Sequence, residues 1–422
     1  MLQDQISLIR QMDRKILFSK LKRAWRIPHE LLLLVVAVPI VTVIRLMSPW
    51  FLVRWGNMPS PRIGHFAANP ELYLCERDAG INIPEHRHID IFFMEKPICN
   101  QQLAQMWRRV LRIRPHWIMS PIRRANLLLP GGKIHQICDD SYSDRDIHNL
   151  LDRFPPHLEF TADEEARGNA ELRKIGVPFG APFVCLIVRD AAYLNSHQPK
   201  DWSYHNYRDT EIKNYVLAAE ELADRGYYVL RMGAKVHDSF DSNHPKVIDY
   251  ATNGMRTDFM DVYLGAKCTF CISTSTGFDA IPLIFRRPIV FVNLVPFGYL
   301  WTFNSQVIAI TRRHFSTEKQ RDLCLKEIFT SNVGFALKTS EYETNNIKLI
   351  ENTPEQIRDV VVEMEERLTG TWQTDPIDYE LQKRFWDIYP IKELDQKGRP
   401  LHGKVSCRIG ANFLRTNTSF LK

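Results

Sequence analysis

The residues best suited to chemistry form a short polar run that follows an apolar segment ending at Ile272. The run consists of four hydroxyl-bearing residues and a glycine: Ser273, Thr274, Ser275, Thr276 and Gly277. A helix is predicted to start at Gly277, and the unpaired backbone N–H groups at a helix start favour an anion. The hydroxyl groups add donors, and the glycine lets a phosphate approach the backbone. The run predicts a diphosphate site, with an ordinary Ser/Thr-capped helix as the alternative.

Charged residues stand at the ends of two other predicted strands. One strand runs into Arg189-Asp190, and the next ends with Arg231 and is followed closely by Gly233. Arg189 is suited to bidentate phosphate binding while Asp190 holds its guanidinium, and Arg231 offers a second cation. Ligands of parallel α/β sheets bind beyond the carboxyl ends of the strands, so both arginines are expected to face one ligand. The alternative for Arg189 and Asp190 is a structural ion pair that bridges two loops.

His65 is the candidate general base. It follows the first predicted strand on a glycine-containing loop, and an imidazole of near-neutral pKa suits proton removal from an acceptor hydroxyl. The alternative is a loop histidine that makes only local hydrogen bonds. Four residues are rivals for the same role: Glu71, Asp90, His135 and Asp139.

Two acids near a later helix start have both a structural and a functional interpretation. Asp258 and Asp261 precede or enter a predicted helix, where carboxylates commonly cap the first turn. Asp258 is alternatively placed to bind a ribose hydroxyl.

Alternating apolar segments predict the elements that position these residues. Strands are expected at 51–55, 88–95, 116–120, 135–138, 183–188, 227–231, 246–250, 269–273 and 288–293. Helices are expected from about 66 and at 101–112, 122–129, 210–225, 258–266 and 277–285. Such strand–helix repeats predict an α/β protein with doubly wound parallel sheets. The tract Gly176–Pro182, with two glycines and two prolines, is the predicted hinge between two Rossmann-like halves and their cleft.

Length and charge limit the class of protein. The 422 residues suffice for two domains, and 45% hydrophobic with 25% charged residues is ordinary globular composition. The net charge of +6 is concentrated at residues 10–26, which hold seven bases and one acid. Because the remainder is close to neutral, a nucleic-acid-binding face is not expected. A local basic segment beside apolar residues favours anionic lipid instead.

An apolar run follows the basic segment. Residues 31–44 are uncharged, contain Pro39 and end at Arg45, which is short of the roughly 20 residues that span a bilayer. With the basic amphipathic helix predicted at 9–25, they predict attachment to the cytoplasmic face of the cell membrane through residues 1–50, peripherally or by a shallow insertion. A spanning helix and a buried core helix are the alternatives.

Eight cysteines are scattered through the chain, a pattern typical of a reducing compartment. Cys268 and Cys271 form a CxxC inside an apolar run, without a second ligand pair at zinc spacing. We interpret them as core thiols, with a redox or metal pair as the alternative.

Several motifs are shared with known proteins: Arg62-Ile-Gly-His65, Val188-Arg-Asp190, Tyr204-His-Asn-Tyr-Arg208, Arg231-Met-Gly233, Asp258-Phe-Met-Asp261, Ser273–Asn293, and Arg408-Ile-Gly410 with Phe413-Leu-Arg415. On these segments the chain resembles the GT-B glycosyltransferases and, more narrowly, a bacterial family assigned as glycosyltransferases mainly from sequence. The resemblance implies a nucleotide-sugar donor in the C-terminal half, the acceptor in the N-terminal half, and no metal held by an Asp-x-Asp motif. The tripeptide Asp144-Arg-Asp146 is accordingly interpreted as helix-capping acids.

The predicted organisation has four parts: a membrane-anchoring segment at 1–50, an acceptor domain at 51–175, a donor domain at 183–370, and a helical tail at 371–422 packing back toward the N-terminal domain. The predicted activity is transfer of a hexosyl or related group from a nucleotide-diphosphate sugar to a lipid-linked or cell-envelope glycan, without metal or cofactor. The alternatives are a soluble sugar-nucleotide epimerase of the same architecture and a non-enzymatic, membrane-bound nucleotide- or glycan-binding protein.

Overall fold

A computed structural model describes residues 31–137, 145–192, 201–395 and 398–422. The basic helix predicted at 9–25, Asp139 and Asp144 lie outside these residues. By their contacts, the described residues form two compact units. One comprises 31–59, 82–96 and 111–137, and the other comprises the rest. The predicted domain boundaries concern independent folding units and stay a prediction.

Strands and helices alternate along most of the chain. The strands are β1 (Leu52–Met58), β2 (His88–Met94), β3 (Phe183–Ile187), β4 (Tyr228–Met232), β5 (Val247–Ile248), β6 (Cys271–Ser273), β7 (Ile289–Leu294), β8 (Val307–Thr311), β9 (Arg313–Ser316), β10 (Arg321–Asp322), β11 (Ile347–Ile350) and β12 (Arg408–Ile409). The helices are α1 (31–47), α2 (Ile63–Asp78), α3 (Gln101–Val110), α4 (His116–Leu128), α5 (Ala162–Ile175), α6 (Val216–Asp224), α7 (Asp258–Lys267), α8 (Ala280–Ile284), α9 (Leu325–Thr330), α10 (Thr339–Thr344), α11 (Pro354–Thr369), α12 (Pro376–Ile388) and α13 (Ala411–Thr416).

The smaller unit is built on the parallel pair β1–β2. Single parallel bridges add Gln136 beside β1 and Ile113 beside β2. Helices α1 and α4 cover the sheet, and the core consists of Ala37, Val41, Trp55, Phe93, Met119, Ile122 and Ala125. Among the described residues, no helix is long and apolar enough to cross a membrane.

The larger unit contains a seven-stranded parallel sheet in the order β12-β8-β7-β6-β3-β4-β5. This confirms the predicted α/β class with a large parallel sheet. The chain builds outward from β3 through β4 to β5, then crosses over to β6 and continues through β7 to β8. The strand order therefore reverses between β3 and β6, and such a switch point opens a crevice where α/β sheets bind ligands. A separate antiparallel sheet has the order β10-β9-β11.

One helix in the smaller unit replaces a predicted strand and a predicted helix. Helix α4 includes residues 116–120, predicted as a strand, and continues through Pro121. Proline removes a backbone donor and restricts the preceding residue, so a helix that continues through it carries a local cost. Met119 and Ile122 on either side of the proline are buried in the core. Tertiary packing on this face therefore outweighs the local cost of the proline.

One other local prediction also changes. Residues 135–138 were predicted as a strand, but Gly132–His135 form a 3-10 turn, and among the described residues 135–137 only Gln136 makes a bridge. The predicted hinge tract begins at Gly176, which caps the end of α5 in the left-handed conformation at φ +111°. A residue with a side chain is strained in that conformation, so this glycine has a local structural role.

The C-terminal tail adds a strand to the large sheet. Residues Arg408–Ile409 form β12, which pairs in parallel with β8. Strands β8 and β12 are far apart in sequence, so no local sequence pattern indicates that they pair. For this reason the sequence analysis predicted only a helical tail.

Cys268 and Cys271 are fully buried and form no disulfide. Burial raises the pKa of the Cys271 thiol well above its ordinary value. This environment favours the core-thiol interpretation over a redox pair.

Candidate functional site

The structure brings two of the predicted motifs together at the switch point. Strand β3 leads into Arg189 and β6 leads into the Ser273–Gly277 turn, with Ile187 paired to Ser273 in the sheet. The backbone N–H of Arg189 donates to Thr274 Oγ1 at 2.9 Å. The predicted phosphate-binding residues of both strand ends therefore share one edge of the sheet.

Two of the four hydroxyl groups of the turn, those of Ser273 and Thr276, stabilise the turn itself. Ser273 Oγ donates to Asp279 Oδ1 at 2.5 Å, and the backbone N–H of Ser275 donates to Ser273 Oγ at 3.0 Å. Thr276 and Asp279 form a reciprocal capping box at the start of a 3-10 turn, Gly277–Asp279, that continues into α8. The capped-helix alternative is thus present in the structure. A ligand at this turn would be bound mainly by backbone N–H groups and by neighbouring arginines.

The buried Asp279 carboxyl predicts a pH dependence of stability. Burial raises its pKa from 3.8 to about 6, although Ser273 and Thr276 donate hydrogen bonds to it. At a pH between these values the folded state holds a proton that the unfolded chain releases. The stabilisation from this group is therefore complete at low pH and is lost as the pH rises through about 6.

We expect Asp279→Asn to remove this dependence. The free energy of unfolding of the variant, relative to the wild type, should rise with pH by up to roughly 3 kcal/mol. Urea denaturation at a series of pH values measures the difference. Parallel curves for the two proteins would show that Asp279 titrates at an ordinary pKa.

The Arg189 side chain is mostly buried, with 14% of its surface exposed. Its Nε lies 3.5 Å from Asp209 Oδ1, and its guanidinium donates no hydrogen bond to any residue within the described ranges. The neighbouring Arg208 donates through Nη2 to the carbonyl oxygen of Ser275. Burial, and then the charge of Arg208, lower the pKa of Arg189 to about 10. Two crowded guanidinium groups destabilise each other until an anion neutralises them.

Asp190 does not hold the Arg189 guanidinium, contrary to the prediction. Its carboxylate accepts backbone hydrogen bonds from Ala192 at 2.8 Å and from His237 at 3.0 Å. Asp190 therefore joins the loops that follow β3 and β4, and Asp209 is the acid that pairs with Arg189.

Arg231 lies within β4 rather than beyond its end. Its side chain is 1% exposed, and Nη1 is 3.3 Å from Asp249 Oδ1. Asp249 also accepts from the backbone of Phe240 and the hydroxyl of Thr252. The predicted second cation is thus buried beside its own acid. Gly233 lies two residues further on, where a Cβ would lie 2.6 Å from Val236 Cγ1. Arg208, rather than Arg231, is therefore the second arginine close to Arg189.

His65 is on the first turn of α2, not on a loop as predicted. This turn contacts the Ser273–Gly277 turn directly: a Cβ on Gly64 would lie 3.2 Å from Gly277 Cα. Helix α2 has no acidic residue in its first turn, and its N-cap, Arg62, makes no side-chain capping bond. His65 therefore lies one residue after Gly64, where the start of α2 contacts the Ser273–Gly277 turn.

Asp258 makes its contacts elsewhere. Its Oδ2 accepts from the backbone N–H of Gln101 at 2.8 Å, at the start of α3. Asp261 is paired with Arg256 at 2.6 Å, and burial raises its pKa to about 6. These contacts correspond to the capping and structural roles rather than to ribose binding.

The rivals of His65 are held by other groups. Glu71 is fully buried between Arg286 at 2.6 Å and His157 at 3.0 Å. Asp90 forms a buried pair with Arg54 at 2.6 Å, and His135 stacks on Trp55. Burial also lowers the pKa of His135, which weakens it as a base. Asp139 lies outside the described residues.

Glu71, Cys75 and His157 are close enough to hold a metal, with ligand atoms within 4.8 Å of one another. Arg286 Nη2, however, lies 2.6 Å from Glu71 Oε1 and 3.6 Å from Cys75 Sγ. A guanidinium already supplies the positive charge there, which disfavours a cation.

Arg208 and Asp209 are the site residues that sequence reasoning missed. Arg208 is the last residue of a 3-10 turn, Ser203–Arg208, and Asp209 follows it, so neither belongs to a predicted strand end. The shared motif Tyr204–Arg208 was the signal available for Arg208. Nothing local in the sequence linked it to Arg189.

No family model matches the chain, and no curated protein matches it in sequence. Solved structures do match. The E. coli ADP-heptose LPS heptosyltransferase II is 13% identical over 76% of this chain and 99% of that chain, with a TM-score of 0.43. A glycosyl transferase family 9 protein from Veillonella parvula is 12% identical over 76% and 97%, with a TM-score of 0.40.

A further match is the E. coli heptosyltransferase WaaC bound to ADP-2-deoxy-2-fluoro heptose. It is 11% identical over 61% of this chain and 93% of that chain, with a TM-score of 0.33. Structural neighbours of the chain thus include glycosyltransferases.

Proposed function

We propose that the chain is a glycosyltransferase that binds the diphosphate of a nucleotide sugar at the switch point between β3 and β6. The observation that carries the proposal is the Arg189 guanidinium, buried at this switch point beside Arg208 and without a hydrogen-bond acceptor among the described residues. A guanidinium has five N–H donors in a planar fork that matches phosphate oxygens. A diphosphate supplies a negative group for each arginine and removes their mutual repulsion.

The two helix starts support the same ligand. The first turn of α2 lies against Gly277, where the Gly277–Asp279 turn begins. Both starts present the positive ends of backbone dipoles, and neither Gly64 nor Gly277 adds a side chain that would exclude a phosphate.

His65 is the proposed general base for the acceptor hydroxyl. An inverting transfer needs a base within hydrogen-bond reach of that hydroxyl, next to the bound donor. His65 is partly exposed on the turn that contacts Gly277, whereas Glu71 and Asp90 are buried in ion pairs. The proposed acceptor is a lipid-linked or cell-envelope glycan at the cytoplasmic face of the membrane, and the proposed reaction uses neither metal nor cofactor.

A nucleotide-sugar screen tests the donor. We expect one class among UDP-, GDP-, dTDP- and ADP-sugars to raise the melting temperature, because a ligand that binds only the folded state stabilises it. The free nucleoside diphosphate should raise it as well, since the phosphates supply the main contacts. If none of these compounds shifts the transition at millimolar concentration, the proposal fails.

The products then distinguish the classes of protein. Release of nucleoside diphosphate that depends on added membrane lipid indicates glycosyl transfer. An epimerised sugar nucleotide formed from the donor alone indicates an epimerase, and binding without turnover indicates a binding protein.

A further inference from the structure

Helix α1 exposes apolar residues to an unusual degree. Only Ala37 and Val41 are buried, and they face the core of the smaller unit. The rest of the helix presents large hydrophobic side chains outward: Leu31, Leu32, Val35, Val36, Val38, Ile40, Val43, Leu46 and Met47, followed by Trp50. A helix on the surface of a water-soluble protein presents polar residues on that side. The exposed side of α1 is therefore suited to an apolar environment.

Helix α4 exposes apolar residues as well. Trp117 is 68% exposed and Leu128 is 69% exposed, and Ile118 and Leu127 are exposed with them. Ile134 follows on the next turn, at 58% exposed. The sequence analysis assigned membrane contact to residues 1–50 alone and placed 116–129 in a strand and a helix of the acceptor domain.

The two helices form one continuous surface, which we call the α1/α4 surface. Their buried sides share a core, with Val41 of α1 beside Met119 and Ile122 of α4. Their ends are joined by Arg45, whose guanidinium donates to Asn126 Oδ1 at 2.8 Å and to the backbone oxygens that end α4. Because these oxygens satisfy the Arg45 charge, the residue does not prevent an apolar environment at this end of α1.

The charged residues of the two segments that form the surface are of one sign. Segments 31–53 and 111–137 contain no Asp or Glu, and their bases are Arg45, Arg112, Arg114, Arg123, Arg124 and Lys133. A second copy of the chain would bring like charges together at a symmetric interface. Residues 1–30 add seven bases and three acids to this part of the chain. A lipid bilayer with anionic headgroups complements both the exposed apolar residues and the basic charges of these segments.

We infer that the α1/α4 surface lies on an anionic lipid bilayer, with both helices in the interface and Trp50 and Trp117 at the depth of the headgroups. The inference deepens the proposed function, since it adds a second helix to the membrane contact of a transferase with a lipid-linked acceptor. It assigns to α4 a contact with the membrane, in addition to the contact predicted for residues 1–50.

Co-sedimentation of the full-length protein with vesicles tests α4 separately. The variant Trp117→Glu with Leu128→Glu leaves residues 1–50 intact. We expect its partition onto phosphatidylcholine vesicles containing phosphatidylglycerol to fall about tenfold or more, because two apolar contacts are replaced by charges that the lipid repels. The matched control is Ile377→Glu with Tyr379→Glu, which alters two exposed apolar residues of α12 in the larger unit. The control should bind as the wild type does.

Three further readouts complete the test. Light scattering identifies a second copy as the occupant if the wild type is a dimer and the α4 variant a monomer, which would overturn the inference. Unchanged vesicle binding by the α4 variant, with an unchanged melting temperature, would also overturn it. Nucleotide binding is measured on the same variants and should not change, so the membrane surface and the donor site can fail independently.

Discussion

Replacement of Arg189 by alanine is expected to abolish binding of nucleoside diphosphates. Loss of a desolvated bidentate contact to phosphate costs roughly 2–5 kcal/mol, which lowers affinity about 30-fold or more. The stability of the free protein should change little, because removal of the guanidinium relieves repulsion with Arg208 but leaves Asp209 without its paired cation. Calorimetric titration with the best nucleotide from the screen, and a melting curve without ligand, measure the two effects.

The matched control for this variant is Arg313→Ala. Arg313 belongs to the same unit and is paired with Asp322, but its side chain is 41% exposed on the small antiparallel sheet. Its affinity for nucleotide should equal that of the wild type. Arg189→Ala with unchanged affinity would remove the switch point as the phosphate site and leave the proposed activity without its main support.

Replacement of Gly277 by valine should have a comparable effect through sterics. A Cβ at this position would meet Ile63 Cγ2 at 3.3 Å and the backbone nitrogen of Gly64 at 3.4 Å. The branched side chain adds two methyl groups that must displace the start of α2 or occupy the space over the turn. The first result separates the two helix starts, and the second blocks access of the phosphate to the turn. We expect affinity to fall by about tenfold to 100-fold, with an overpacking cost of roughly 1–3 kcal/mol in stability.

Gly277→Ala provides the graded control. Its single methyl group makes contacts that require shifts of only a few tenths of an ångström, so most of the affinity should remain. Equal affinity for the valine variant, the alanine variant and the wild type would show that no ligand approaches this turn. Loss of affinity in Gly277→Val without a change in Arg189→Ala would locate the ligand at the α2 start alone.

The fold class could be predicted because the information is local. Strands β3, β4, β6 and β7 each begin and end within two residues of the predicted bounds. Each is an apolar segment bounded by polar or glycine-containing turns, and that pattern persists in any tertiary context. The position of Arg189 at a strand end and of Ser273–Gly277 at a helix start followed from the same pattern.

The partners of the site residues could not be predicted because they are distant in sequence. Asp190 is next to Arg189 in the chain, yet Asp209 pairs with the guanidinium, and burial and then Arg208 lower the pKa of Arg189. Arg231 was expected to face the ligand, but its side chain points into the interior, where Asp249 pairs with it. The direction of a side chain at a strand end depends on the loops that pack over it, and apolar periodicity does not encode those loops.

The sequence by itself determined the α/β class, the strand ends that carry the polar residues, and the excess of basic residues near an apolar N-terminal segment. Only the tertiary structure decided that Gly64 meets Gly277, that Arg208 replaces Arg231 beside Arg189, and that α4 continues through Pro121 and exposes Trp117 next to α1. The reason is physical. Element type depends on neighbours along the chain, whereas burial, pairing of charges and the use of a surface depend on groups that folding brings together from distant positions.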